Sequence, residues 1–276
     1  MSFRYRRFYA GPVEAVIFDM AGTVVDFGSR APAGVFVEVF RRHGVEISLA
    51  EARGPMGAEK RAHVAELLAA PAIQARFVAR HGRASTEGDV DAIYQDFIPL
   101  QIETLPAFSD LIPGVLDTVA ALRARGIRIG VNTGYNRAMM EVVLAAMERQ
   151  GLHVDSAVAA SDVRRARPFP AMCLTNAADL AVRSVAACIK VDDTIPGIDE
   201  GLSAGMWTVA ITASGNEVGL DEKDWKALTP AQQADRIGWA SDRMRAAGAH
   251  YVIPSVAELL PVVDAIEARL ARGEQP

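Results

Sequence analysis

The run Val13-Glu14-Ala15-Val16-Ile17-Phe18, closed by Asp19, most narrows what this chain can fold into. It is short, largely apolar and rich in β-branched residues, without the polar alternation of a half-exposed strand. It therefore predicts a buried strand of a parallel sheet. Gly22 supplies a turn just beyond it. Runs of the same kind recur at 128–133, 187–193 and 207–212, with a shorter one at 250–253. Between them, apolar residues three and four apart predict helices over 114–125, 136–149, 200–204 and 256–270, with Gly126 and Gly151 closing the first two. Alternating strands and helices specify an α/β doubly wound sheet. Such a sheet carries its site at the carboxyl ends of its strands.

The interval from Ser29 to Leu105 breaks that rhythm. It has no convincing strand, but helical patterns at 33–43, 58–69, 73–81 and 87–103. The expected organisation is a core in two segments, 1–28 and 106–276, with a helical domain inserted over 29–105. At 276 residues, 50% hydrophobic and 23% charged, the chain has the composition of a globular protein rather than a disordered one. It contains no run of about 18 apolar residues, which excludes a membrane-spanning helix. The basic N-terminal arm lacks the apolar stretch of a secretory signal, so a soluble, cytoplasmic protein is expected. A net charge of −5 weighs against a dedicated nucleic-acid binder. Cys173 and Cys188 are too few for a disulfide framework or a zinc site.

Polar groups stand at the strand ends: Asp19 followed by Ala21-Gly22-Thr23, then Thr133-Gly134, then Arg167-Pro168 after a loop, then Asp192-Asp193. A carboxylate pair with one further oxygen suits Mg²⁺, which takes few protein ligands and keeps room for water and phosphate oxygens. A hydroxyl, backbone amides at a helix start and a guanidinium suit a phosphate-like dianion. Beside a metal, a carboxylate can attack phosphorus once anion–anion repulsion is neutralised. Taken singly, each element is also a cap, a turn or a solvated arginine; order and spacing across the four units carry the signal.

That order resembles the haloacid dehalogenase superfamily and, within it, the phosphonoacetaldehyde hydrolase (phosphonatase) family. The matching segments are Ala21-Gly22-Thr23-Val24-Val25-Asp26-Phe27-Gly28, Pro55-Met56-Gly57-Ala58-Glu59-Lys60-Arg61-Ala62-His63-Val64, Thr133-Gly134-Tyr135-Asn136-Arg137, Pro196 to Trp207 and Ser214 to Leu220. The resemblance implies a Rossmann-like parallel-sheet core of the haloacid dehalogenase type with an inserted helical cap, and an active site where the two meet. It implies a C–P hydrolase acting on a small-molecule phosphonate, phosphonoacetaldehyde. Asp19 would be the nucleophile and Lys60 the Schiff-base lysine. Mg²⁺ would be held by Asp19, the Ala21 carbonyl and Asp193. Thr133, Gly134 and Arg167 would hold the phosphonate, with Gly22, Met56, His63 and Tyr135 around the substrate. A homodimer through the cap is implied as well.

Two positions explain each other. Superfamily phosphatases normally keep a second Asp two residues after the nucleophile, to protonate an alkoxide; that proton donor is worth roughly 10²–10⁴-fold. Here the position is Ala21. Breaking a C–P bond expels a carbanion instead, so what helps is an electron sink, which an amine supplies by condensing with the adjacent aldehyde. Lys60 must lose its proton to do so, from a reference pKa of about 10.4. The start of a helix and Arg61 push that way, and Glu59 pushes against it. His63 shares a helix face with Lys60 and could shuttle the proton.

Some positions depart from the family. It usually reads Val-Pro-Ala-Gly-Arg-Pro where this chain has Val163-Arg164-Arg165-Ala166-Arg167-Pro168, leaving Arg164 and Arg165 as alternatives to Arg167. Asn132 replaces a common Thr. Asp192 replaces a common Gly and competes with Asp193 as a ligand, although the alignment favours Asp193. The alternatives are a phosphomonoesterase of the same superfamily, a hydrolase for a substituted phosphonoaldehyde, or a metabolite-binding regulator without turnover.

Overall fold

A computed structural model describes residues 8–276; Arg4, Arg6 and Arg7 of the basic arm lie outside the described residues. β1 (Ala15–Phe18) lies inside a six-stranded sheet with β2 (Arg128–Thr133), β3 (Ser156–Ala159), β4 (Cys188–Asp192), β5 (Trp207–Ile211) and β6 (Tyr251–Ile253), in the order β3-β2-β1-β4-β5-β6. Every pairing is parallel. Successive side chains of β1 point to opposite faces. Val16 and Phe18 join the core formed with α6 (Val115–Ala124), α7 (Arg137–Arg149) and α12 (Leu259–Ala271). Ala15 and Ile17 join Cys173 and Ala177 of α8 (Ala171–Asp179) on the other face. With both faces covered, β1, β4 and β5 are buried throughout, which is why they read as apolar runs.

The chain runs from β1 to one side of the sheet and returns to the other side at β4, so a topological switch point lies between β1 and β4. Phe18 pairs with both Val131 of β2 and Val191 of β4. The next residues, Asp19, Asn132 and Asp192, therefore come abreast at the carboxyl edge. That register assembles the polar residues far apart in sequence.

Between β1 and β2 the chain forms α1 (Arg30–Arg42), α2 (Leu49–Arg53), α3 (Lys60–Ala69), α4 (Pro71–His81) and α5 (Glu87–Thr104). Their interior is Phe36, Phe40, Val64, Leu67, Phe77, Ile93 and Phe97, all buried. α2 begins with a reciprocal capping box, Ser48 with Glu51, and at the start of α5 Asp89 accepts from the Thr86 N–H and hydroxyl.

Several elements escape the sequence patterns. β3 has four residues, Ser-Ala-Val-Ala, at the sheet edge, too short and too weakly β-forming to announce itself. The 17-residue α11 (Pro230–Ala246) buries only Ala240, Ser241 and Met244, so it has no continuous apolar stripe. α2, α8 and α10 (Glu222–Ala227) were also not expected. α9 (Ile195–Ser203) starts five residues before Glu200, because Thr194 caps it with Pro196 in the first turn. Val256–Glu258 is a separate 3₁₀ turn ahead of α12. Among the described residues, no helix is long and apolar enough to cross a membrane.

Candidate active site

A cleft between the sheet edge and the helical insertion is lined by Asp19, Ala21, Met56, Gly57, Lys60, Thr133, Gly134, Tyr135 and Arg167, among others. The expected residues from β1, the insertion, β2 and the loop after β3 thus meet in one place. Two glycines let the layers close. A Cβ on Gly134 would lie 2.5 Å from the Ala58 carbonyl oxygen, and one on Gly57, at φ +93°, 2.2 Å from Thr194 Oγ1. Gly22 is not on the cleft wall. At φ +87° it allows the first loop onto Asp193, whose Oδ2 would be 2.1 Å from an added Cβ.

Asp19 is buried, and its Oδ1 accepts a hydrogen bond from Arg167 Nη2 at 2.7 Å. Burial pushes its carboxyl up to about 6, against the opposing pull of Arg167. Thr133 ends β2, and its Oγ1 accepts the Tyr135 N–H at 3.2 Å. The Tyr135 hydroxyl is buried without a partner. Its ring centroid lies 5.4 Å from Lys60 Nζ, within cation–π reach.

Lys60 opens α3, where Glu59 caps the helix by accepting the Arg61 and Ala62 N–H groups. Its side chain enters the cleft and is only 4% exposed. Burial lowers its pKa to about 8, partly opposed by the Asp19 carboxylate. The cation that adds to this lowering is Arg167, whereas the sequence suggested Arg61. Arg61 points away, at 2.7 Å from both Glu87 and Asp91. His63, expected as a proton shuttle, does not line the cleft. Its Nε2 lies 2.8 Å from the Ala52 carbonyl oxygen and its ring stacks on Phe36 at 3.9 Å. That is the setting of a packing residue behind the wall.

Arg167, rather than Arg164 or Arg165, reaches the site; both neighbours are exposed. Glu200 Oε2 grips its Nε at 3.0 Å, Asn132 Oδ1 accepts from Nη2 at 2.6 Å, and Asp192 Oδ2 stands 3.2 Å away. Lys190, fully buried in β4, lies 3.0 Å from Asp192 Oδ2 and donates to Asn132 Oδ1 at 2.6 Å. Asn132, Lys190 and Glu200 were not singled out as site residues. Lys190 was the available signal, since a cation inside a strand covered on both faces must be paired. Gly197 leaves room for the Asp192 carboxylate, whose carbon would sit 1.9 Å from an added Cβ. Because removing one partner strands buried charge, Lys190→Met is expected to cost about 3–5 kcal/mol of stability. Denaturant unfolding measures it, and an unchanged midpoint would refute the pairing.

Carboxylate oxygens of Asp19, Asp192 and Asp193 lie within 4.8 Å of one another. Asp192 is committed: although burial opposes it, Arg167 and Lys190 hold its carboxyl below the ordinary range. Its Oδ1 accepts from Thr194 N–H and Oγ1 at 3.0 and 2.7 Å. Among the described residues, Asp193 accepts only from neutral donors, Thr23 Oγ1 at 3.1 Å and Asn216 N–H at 2.8 Å. Burial, then Asp19 and Asp192, push it well above the ordinary carboxylate range. Four buried carboxylates, Asp19, Asp192, Asp193 and Glu200, thus stand against three buried basic side chains, Lys60, Arg167 and Lys190. An all-oxygen donor set with uncompensated negative charge fits a hard divalent cation between Asp19 and Asp193.

The sequence profile of the haloacid dehalogenase-like hydrolases matches residues 13–205. A phosphonoacetaldehyde hydrolase of Hahella chejuensis is 49% identical over 276 residues, covering 100% of this chain and 94% of that protein. Another, of Pseudomonas aeruginosa, is 50% identical over 265 residues, covering 96% of each. The crystal structure of a phosphonoacetaldehyde hydrolase-like protein from Oleispira antarctica superposes with a TM-score of 0.98 at 48% identity, covering 100% of both chains. A β-phosphoglucomutase from Clostridium difficile, at 16% identity and a TM-score of 0.64 over 93% of this chain and 98% of that one, shares the fold.

Proposed function

The chain belongs to the phosphonoacetaldehyde hydrolase family of haloacid dehalogenase-like hydrolases, and from that premise we propose that it cleaves the C–P bond of phosphonoacetaldehyde to acetaldehyde and phosphate. Lys60 and Asp19 are the catalytic pair. The observation that carries this reading is Lys60, a buried amine with its pKa lowered to about 8, lining the same cleft as a buried aspartate.

Neutral Lys60 Nζ adds to the aldehyde carbon, the carbinolamine oxygen takes up one proton from solvent and leaves as water, and an iminium ion forms beside the C–P bond. Asp19 attacks phosphorus. The C–P electron pair moves into the iminium, giving a neutral enamine and an aspartyl phosphate. Protonation of the enamine carbon and hydrolysis of the resulting iminium release acetaldehyde and restore Lys60. Water cleaves the aspartyl phosphate and restores Asp19. Ala21 offers no acid, and the carbon leaving group needs no proton on oxygen. Arg167, held cationic by Asp192, Asp19 and Glu200 despite burial, takes the phosphonate oxygens with Thr133 and the Gly134 amide. Met56 and Tyr135 keep the aldehyde end dry.

Mg²⁺, held by Asp19, the Ala21 carbonyl and Asp193, would neutralise repulsion between the Asp19 carboxylate and the substrate dianion. The reading takes 29–105 as a cap that closes over 1–28 and 106–276. It includes a homodimer through the cap, a cytoplasmic location and no nucleic-acid or membrane partner.

Borohydride added during turnover should fix a two-carbon adduct on Lys60, located by peptide mapping; fully active protein without that adduct contradicts the Schiff base. The pH profile adds an independent check. Lys60 is productive only when neutral, so kcat/KM is expected to climb about tenfold per pH unit between about 6 and 8 and level off above about 8. A rate flat from pH 6 to 9 would exclude Lys60 as the titrating nucleophile.

A further inference from the structure

The loop between β3 and α8 carries two arginines that this chemistry leaves unused. Arg164 and Arg165, together with Arg61, line a cavity of about 410 Å³ at the seam between the insertion and the core, and Arg167 is part of its wall. The catalytic cleft shares Arg167 but encloses only about 20 Å³, room for about one water. The substrate must therefore arrive through a seam that opens, and the cavity abuts Arg167, whose guanidinium is buried and turned inward to Asp19, Asn132 and Glu200. Beside the cavity the seam carries only long contacts, Asn136 Nδ2 to Tyr94 Oη at 3.5 Å and Arg167 Nη1 to the Gly57 carbonyl at 3.4 Å, whereas its far side is anchored by Arg53 on the Gly28 and Gly219 carbonyls and Asn216 Oδ1, at 2.9–3.1 Å.

Around the cavity, the two arginines stand apart from the other charges, which are paired. Arg61 is matched by Glu87 and Asp91. Glu59 spends its carboxylate oxygens on the Arg61 and Ala62 N–H groups, both at 2.9 Å. Asp162 is taken by Arg137. Among the described residues, no carboxylate forms an ion pair with Arg164 or Arg165. The Arg165 guanidinium instead lies 3.5 Å from the Phe169 ring centroid, which holds it at the cavity rim. The chain carries a net charge of −5 and repels a dianion at long range. A locally positive mouth reverses that field where it matters.

We propose that Arg164 and Arg165 form an outer capture subsite for phosphonate and phosphate dianions, from which substrate passes to Arg167. This rests on the reading of the cleft as a phosphonate site. The Arg164→Gln/Arg165→Gln double variant tests it, by steady-state kinetics with phosphonoacetaldehyde and by calorimetric binding of inorganic phosphate to the Mg²⁺-loaded protein. At low ionic strength, KM and the phosphate Kd should each rise about fivefold or more, with kcat changed less than about twofold. The gap should close near 0.5 M salt, where screening falls to about 4 Å. The Arg164→Lys/Arg165→Lys variant should behave as wild type. Unchanged KM and Kd at every salt concentration would overturn the proposal. So would a salt-independent fall in kcat, or a lysine variant as impaired as the glutamine one. Absence of acetaldehyde from the wild type would sink the reaction instead, leaving the phosphate titration to decide the subsite.

Discussion

Lys60→Arg is expected to lower C–P cleavage by about 10⁴-fold or more, the scale of removing a covalent catalytic group. Arginine keeps a positive charge and comparable bulk but forms no iminium with the aldehyde, because its guanidinium does not lose its proton at accessible pH. Lys60 sits at the start of α3 among neighbours that tolerate a cation, since Asp19, Glu59 and Asp193 all favour its charged form. The variant should therefore fold, bind Mg²⁺ and bind inorganic phosphate, while borohydride trapping disappears. Retention of more than about 1% of kcat would mean that C–P cleavage proceeds without a Schiff base, with the lysine serving only as a charge. A phosphomonoesterase would show the same insensitivity with sugar phosphates.

Asp19→Asn should be nearly as damaging, by about 10⁴-fold in kcat, but at the next step. An amide does not attack phosphorus, so no aspartyl phosphate forms and the C–P bond stays intact. Lys60 still condenses with the aldehyde, and borohydride should now trap the substrate-derived adduct with phosphorus still attached. Mass spectrometry of the Lys60 peptide distinguishes this from the two-carbon product adduct of the wild type. Finding only the two-carbon adduct would mean that C–P cleavage proceeds without Asp19. The variant also removes the charge that Arg167 contacts at 2.7 Å. Arg167 keeps Glu200 and Asp192, so its position should hold.

The strands with apolar β-branched interiors were legible because burial on both sheet faces leaves a continuous run, and each of those runs lies at a strand of the sheet. Their polar ends, Asp19, Thr133 and Asp193, could be read for the same reason: a polar residue closing such a run stands at the sheet edge. β3 and α11 were illegible because one is a four-residue edge strand and the other a surface helix with little to bury. The support under Arg167 was hidden differently. Asn132 and Glu200 are 68 positions apart, and Asn132 and Lys190 are 58 apart. No local pattern links them; parallel register and the packing of α9 on β4 bring them together.

By itself, the sequence determined the alternation that makes a doubly wound sheet, the place of the helical insertion, and the residue types at the strand ends. Through the family resemblance, Ala21 in place of an acid and Lys60 in the insertion also pointed from ester hydrolysis to carbon–phosphorus chemistry. Tertiary structure decided which groups are dry and which charges face each other. It chose Arg167 over its neighbours, tied Asp192 to cations while leaving Asp193 with neutral donors, set His63 behind the wall, and brought the Lys60 amine toward neutrality. These are consequences of desolvation and of distances between segments remote in sequence. Both come into being only when the layers pack.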